Sequence, residues 1–258
     1  MVFVARVFWP KAIPKPVRRP PTSVKGVVKT KKPAPKPQAQ ASMAIILDDW
    51  GLNASLVDDA VAVGRPLTLS VLPRLRHSRD IAESAHAAGL GVMLHMPMQA
   101  KSLKAPSEPH TILTTSSDAQ ILSYLDEALE SVPYAEGVNN HQGSAATSDL
   151  RVMRTVLTRL KQKNLFFVDS QVISTSVGRK VAEEVGIRFA RRQIFLDNVA
   201  TVEAVKGQLD EAVKVALERG NVIVIGHDKK PTLEALREKV SDIEKKGVKI
   251  VSIKELLQ

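Results

Sequence analysis

Two neighbouring carboxylates, Asp48 and Asp49, close the apolar run Ile45-Ile46-Leu47, and other apolar runs close in the same way. His95 follows Val92-Met93-Leu94, and His141 ends Asn139-Asn140-His141 after Val138. Asp169 follows Phe166-Phe167-Val168, and His227 follows Ile223-Val224-Ile225-Gly226. Adjacent carboxylates raise each other's pKa unless a cation offsets the repulsion, which a divalent metal would do. Strand alternation is expected to point Asp48 and Asp49 to different sides, so that one binds the ion while the other is free to move protons. The chain has no cysteine, which leaves histidine, carboxylate and water as metal ligands. His95 and His141 are then the natural nitrogen ligands, and Asp-His-His plus water is an open zinc arrangement whose water loses a proton near neutral pH. From the opposite side, His227 is placed to protonate a leaving group.

Each residue also has an ordinary structural use. An Asp pair caps helices, Asn-Asn suits turns, and single histidines are often only hydrogen-bonded in place. Recurrence at five strand ends argues for one shared site, because chemistry in barrels and open α/β sheets collects at the carboxyl ends of strands. His77, His86 and His110 lie in helical or loop segments and are assigned to the surface.

Short apolar runs alternate with longer segments of helical period from residue 43 onward, the pattern of βα units around a parallel sheet. Strands are expected at 44–47, 67–72, 91–94, 137–139, 166–168, 187–190 and 222–225, with a further short one at 249–251. Helices are expected at 78–88, 118–131, 149–163, 177–185, 202–219 and 233–246. Gly89, Asn164, Gly186, Gly220 and Gly247 are placed as left-handed helix terminators. No internal repeat is visible, and one domain over 42–258 is the economical reading. There is no glycine-rich phosphate cradle and no Gly-x-Ser-x-Gly elbow, which argues against a dinucleotide fold and a serine hydrolase.

Charge is unevenly placed along the 258 residues. Residues 1–40 hold ten Lys or Arg, no Asp or Glu, and eight of the fifteen prolines, so the net charge of +10 belongs to this leader and the remainder is neutral. Residues 1–41 therefore read as a basic, Pro-rich linker without stable structure, able to associate with an anionic envelope surface. A neutral domain with few aromatics argues against nucleic acid as a partner. The apolar residues 1–9 are too short for a signal core, so no intact signal peptide is visible.

As an ordered set, several segments resemble the divergent polysaccharide deacetylases, a branch of the polysaccharide deacetylase superfamily. They are Ala44-Ile45-Ile46-Leu47-Asp48-Asp49-Trp50-Gly51, Leu69-Ser70-Val71-Leu72-Pro73, Leu94-His95-Met96-Pro97-Met98 and Gly137-Val138-Asn139-Asn140-His141-Gln142-Gly143-Ser144. Phe166-Phe167-Val168-Asp169-Ser170, Phe195-Leu196-Asp197-Asn198 and Ile225-Gly226-His227 complete the set.

The resemblance implies a distorted (β/α)7 barrel and metal-dependent removal of N- or O-acetyl groups from an acetylated glycan, with zinc first among the candidate metals. It makes Asp48 the base, Asp49 a metal ligand and His227 the general acid. The superfamily's second histidine, four residues after the first, is replaced by Gln99, and His141 is assigned in its stead. The superfamily's arginine and tyrosine motif is absent around His141, which leaves Ser144, Asn140 or an amide near Gly143 as oxyanion donors. Arg192, ahead of Phe195-Leu196-Asp197, is expected to hold Asp169 or Asp197 in a bidentate contact. The implied setting is the periplasm or cell envelope. The competing expectation is a catalytically inactive envelope glycan-binding protein that retains the barrel.

Overall fold

A computed structural model describes residues 41–102 and 108–258 of the chain. The expected basic linker and its envelope association fall outside these residues, except for Ala41, which opens the first strand. The strands are β1 (Ala41–Trp50), β2 (Leu67–Val71), β3 (Gly91–Met98), β4 (Gly137–Gln142), β5 (Phe166–Asp169), β6 (Phe189–Arg191), β7 (Ile194–Phe195), β8 (Asn221–His227) and β9 (Val248–Ile250). Between them run α1 (Val57–Ala62), α2 (Ser78–Ala87), α3 (Asp118–Ser131), α4 (Leu150–Gln162), α5 (Gly178–Val185), α6 (Val202–Arg219) and α7 (Lys230–Lys245). Among the described residues no helix is long and apolar enough to cross a membrane.

All strand pairs are parallel, in the order β6-β5-β4-β3-β2-β1-β8-β7, with β9 added to the start of β1. The two end strands of that order, β6 and β7, are separated in sequence only by Arg192 and Gln193. Two residues cannot span a flat sheet of eight strands, so the sheet must curl until its edges meet. Arg192 N–H donates to Asp169 O on the β5 side, and Gln193 N–H donates to Ile223 O on the β8 side. The expected distorted (β/α)7 barrel is thus closed by a chain connection where β6 and β7 have no ladder.

Strand alternation divides the core in two. One set of strand residues, including Ile45, Leu47, Val92, Leu94, Val138, Phe167, Val222 and Val224, packs against the helices. The alternate set, Ala44, Ile46, Met93, Phe166, Val168, Ile223 and Ile225, meets across the barrel interior and is plugged by Ile253 from the C-terminal 3-10 turn. Burial on both faces explains why the strands read as continuous apolar runs.

Four elements differ from expectation. β7, with two residues, and α1, with six, are too short to leave a periodic signal. Strand β1 runs on through the polar residues to Trp50. Helix α7 begins at Lys230, ahead of the expected residue 233, because Pro231 occupies the first turn, where its missing N–H costs nothing.

Gly137 pairs in register with Phe166, and a Cβ there would lie 2.2 Å from that ring. Gly137→Ala is expected to destabilise the barrel by about 1–3 kcal/mol through overpacking. Urea unfolding checks this, and a wild-type midpoint would contradict it.

Candidate metal centre

The interior column of each strand ends in a polar residue. On β1 the column Ala44-Ile46 leads to Asp48, on β3 Met93 leads to His95, and on β8 Ile223-Ile225 leads to His227. On β4 the column is Gly137-Asn139-His141, in register with β3 so that Asn139 sits beside His95 and His141 beside Pro97. Two-residue alternation alone would send Asp49 to the helix side. Its backbone instead turns left-handed (φ +68°), and the pairing of β1 with β2 shifts register between Leu47 and Trp50. Both carboxylates consequently reach His95, with Asp49 Oδ1 at 3.3 Å and Asp48 Oδ2 at 3.7 Å from Nε2. The expected divergence of the pair is corrected by this left-handed turn.

Asp49 Oδ1, His95 Nε2 and His141 Nδ1 form a small triangle. Its edges are 3.3 Å from Asp49 to His95, 3.1 Å from Asp49 to His141 and 3.1 Å between the two imidazoles. A four-coordinate ion with bonds of about 2.0–2.1 Å spaces its ligands about 3.3–3.4 Å apart, so the triangle has nearly the size of one tetrahedral face. Asp49 Oδ1 is buried without a hydrogen-bond partner. Three lone-pair donors converging on one point, one of them otherwise unsatisfied, fit a divalent cation. Among the described residues this is the group of three such side chains whose ligand atoms all lie within 4.8 Å.

The remaining ring nitrogens are engaged. His95 Nδ1 lies 2.7 Å from Asn139 Oδ1, and His141 Nε2 lies 3.5 Å from Glu108 Oε1. Asn139 Nδ2 donates to Asp48 Oδ1 at 2.8 Å, and Ser70 Oγ donates to Asn139 Oδ1 at 2.5 Å. Burial pushes the Asp48 carboxyl up, and this outweighs the opposing pull of His95 and Asn139. Burial also acts upward on Asp49, but the adjacent His141 and His95 hold it well below the usual carboxylate range. Burial works to lower His95, yet Asp48 and Asp49 together raise it.

His227 faces the triangle from β8, its Nε2 3.8 Å from Asp49 Oδ2. Asp197 accepts from its Nδ1 at 2.7 Å, from its backbone N–H at 2.8 Å and from Thr232 Oγ1 at 2.7 Å. Burial lowers the His227 pKa, but the contact with Asp197 prevails and raises it. Next to it, Asp228 donates its N–H to Asp48 O, and burial together with the Asp49 charge pushes its carboxyl up to about 7.

The other expected site residues lie outside this centre. Asn140 faces away from His141, with Nδ2 donating to Gln142 O and Oδ1 accepting from Ser170 N–H, so each end of its amide has a backbone partner. Ser144 Oγ accepts from Lys101 N–H. Asp169 accepts from Gln171 N–H and Ser176 Oγ. Arg192 does not clamp Asp169 or Asp197: its Nε and Nη2 donate to the carbonyls of Ser170 and Gln171, and its guanidinium lies over the Phe195 ring. The correction follows from where the carboxylates point, since Asp197 turns to His227 and Asp169 to its own loop. Gln99 Oε1 accepts from Thr114 N–H and Oγ1, which makes it a brace for the loop after β3.

Sequence reasoning assigns no roles to Asn139, Glu108 or Asp228, and it gives Asp197 the wrong partner. Asp197 does end an apolar run, Ile194-Phe195-Leu196, but the strand beneath is too short to be noticed. Glu108 comes from a loop with no local signal.

The sequence pattern of the divergent polysaccharide deacetylases matches residues 45–257. The chain is 32% identical over 207 residues to the uncharacterized protein YibQ of Escherichia coli (strain K12), covering 80% of this chain and 65% of that one. It is 36% identical over 201 residues to an uncharacterized protein of Haemophilus influenzae, covering 77% and 71%. The chain therefore spans slightly less than two thirds of the length of YibQ. Among solved structures, an uncharacterized protein from Agrobacterium tumefaciens C58 superposes with a TM-score of 0.79 at 17% identity, covering 84% of this chain and 89% of that one. A family 4 carbohydrate esterase from Streptomyces lividans in complex with acetate gives 0.51 at 15%, covering 81% and 91%. A family 4 pseudoenzyme from Bacillus anthracis gives 0.52 at 15%, covering 85% and 66%. At these identities the structural likenesses establish the shared fold.

His141→Ala removes one corner of the triangle and is expected to weaken zinc binding on the order of 100-fold or more, since the outer partners of metal ligands alone are worth 10- to 100-fold. Chelator competition and elemental analysis measure this, and full occupancy in the variant would remove His141 from the ligand set. Because Asp48 and Asp49 raise the His95 pKa, its protonated form persists to higher pH and competes with the ion. Zinc affinity is therefore expected to fall as pH is lowered, with proton release on binding.

Proposed function

The chain belongs to the divergent polysaccharide deacetylase family, and on that premise we propose that it is a metal-dependent hydrolase that removes acetyl groups from a polysaccharide or related glycan. The observation that carries the reading is the triangle of Asp49, His95 and His141 flanked by Asp48 and His227, groups suited to accept and to donate a proton. A divalent metal held by the triangle, zinc in the first instance, would supply Lewis-acid polarisation and a water of lowered pKa.

Asp48 acts as the base through Oδ2, since Oδ1 is occupied by Asn139. Burial makes this carboxylate a better proton acceptor than an exposed one. As the acetyl C–N or C–O bond breaks, the departing amine or alcohol needs a proton, which His227 gives from Nε2. Asp197 holds the Nδ1 side of that ring and favours its charged form, so the acid stays loaded to higher pH than a free imidazole would. With one N–H of Asn140 engaged by Gln142 O, the candidate oxyanion donors are its second N–H, the Ser144 hydroxyl and the backbone amide near Gly143. The setting in this reading is the periplasm or cell envelope, where an acetylated polymer is at hand.

Acetate release from acetylated chitooligosaccharides and peptidoglycan fragments, assayed with added zinc, cobalt or nickel, tests the proposal. Activity is expected in the wild type, with Asp48→Asn reducing kcat by about 10²- to 10⁴-fold. Glycan binding without acetate release under any of these metals would establish the inactive binding protein instead. The pH profile gives a second check. Asp197 raises the His227 pKa, so the acid stays protonated to higher pH and the alkaline limb of kcat/KM lies correspondingly high. In Asp197→Asn that limb is expected to move to lower pH, and an unmoved limb would exclude His227 as the acid.

A further inference from the structure

We propose that Asn139 is a positioning residue that ties the base Asp48 and the metal ligand His95 into one unit, with the Ser70 hydroxyl setting the direction of its amide. The proposal rests on the metal centre and the base described above. Asn139 is fully buried, as are Ser70, His95 and Asp48, so solvent does not compete for any of these groups. Register places it directly across from His95 on the neighbouring strand.

An amide has an accepting and a donating end, and its surroundings decide which way it faces. Two donors meet the oxygen of Asn139, His95 Nδ1–H at 2.7 Å and Ser70 Oγ–H at 2.5 Å. The nitrogen meets Asp48 Oδ1 at 2.8 Å. Turned over, the amide would set N–H against the imidazole N–H and its carbonyl against a carboxylate, two repulsive contacts in a dry site.

The orientation has two consequences at once. With its proton fixed on Nδ1, His95 presents the Nε2 lone pair to the metal triangle. With Oδ1 occupied, Asp48 is left with Oδ2, the oxygen that lies 3.7 Å from His95 Nε2, as its reactive atom. An aspartate at position 139 could do the first of these tasks but not the second, because its other oxygen would face Asp48. An alanine could do neither.

The test uses the full chain loaded with zinc, and three variants: Asn139→Ala, Asn139→Asp and Ser70→Ala. Histidine ¹⁵N shifts report the His95 tautomer, chelator competition reports zinc affinity, and acetate release reports kcat. Asn139→Ala is expected to lose the single tautomer and about 10- to 100-fold of zinc affinity, with Ser70→Ala changing both in the same direction by less. Asn139→Asp is expected to keep the tautomer and hold zinc within about threefold of wild type, while kcat falls by about 100-fold through displacement of Asp48. This split between metal binding and turnover is what a mere packing role would not produce. Wild-type tautomer and affinity in Asn139→Ala would overturn the proposal, and so would loss of zinc by Asn139→Asp to the same degree as by Asn139→Ala, or a wild-type chain that binds no zinc. If Asn139→Ala does not fold, the other two variants decide. The tautomer and affinity measurements need no substrate, so they test the role of Asn139 even where the deacetylase assay fails.

Discussion

Lone pairs brought together inside a barrel must share something positive. Asp49 Oδ1, His95 Nε2 and His141 Nδ1 lie 3.1–3.3 Å apart, too close for three unprotonated donors to coexist without a proton or an ion between them. Much of the surrounding structure serves this meeting. The outer nitrogens of both rings are held from behind, Asp48 is turned by an amide, and Asp197 secures the histidine across the gap.

The barrel supplies the positions through its period of two. Residues that fill the interior lower down, such as Ile46, Met93 and Ile225, are followed two positions later by Asp48, His95 and His227. The same geometry fixes what can lie beneath the site. Gly137 is small because Phe166 occupies the interior next to it. Asp49 alone breaks the period, through backbone of a kind that side chains other than glycine seldom adopt. Strain of that sort is characteristic of functional sites, where surrounding contacts hold it in place.

The strand-end residues are legible in the sequence because apolar runs ending in a polar group are a strong local pattern, and Asp48, Asp49, His95, His141 and His227 all carry it. What lies beyond reading is direction. Alternation misplaces Asp49 because a left-handed residue leaves no mark in the sequence, whereas Asn140, one step off the column of Asn139 and His141, points to the other side as alternation requires. Arg192 escapes prediction for a related reason. Its partners are backbone carbonyls, which every residue has and which no residue type advertises. Short elements are lost as well, since two residues of β7 cannot display a period, although Asp197 depends on them.

The two-residue joint between β6 and β7 bears on how the molecule can be taken apart. Strands β4, β3, β2, β1 and β8 are consecutive in the sheet, and Asp49, His95 and His141, together with Asp48, Asn139 and His227, stand on that continuous arc. The clasp at Arg192 and Gln193 lies beyond its end. Cutting the chain at the clasp would turn a ring into an open crescent without severing a ladder between strands or parting Asp49, His95 and His141 on the arc. Closure of the barrel and the meeting of these three side chains are thus carried by separate stretches of the sheet.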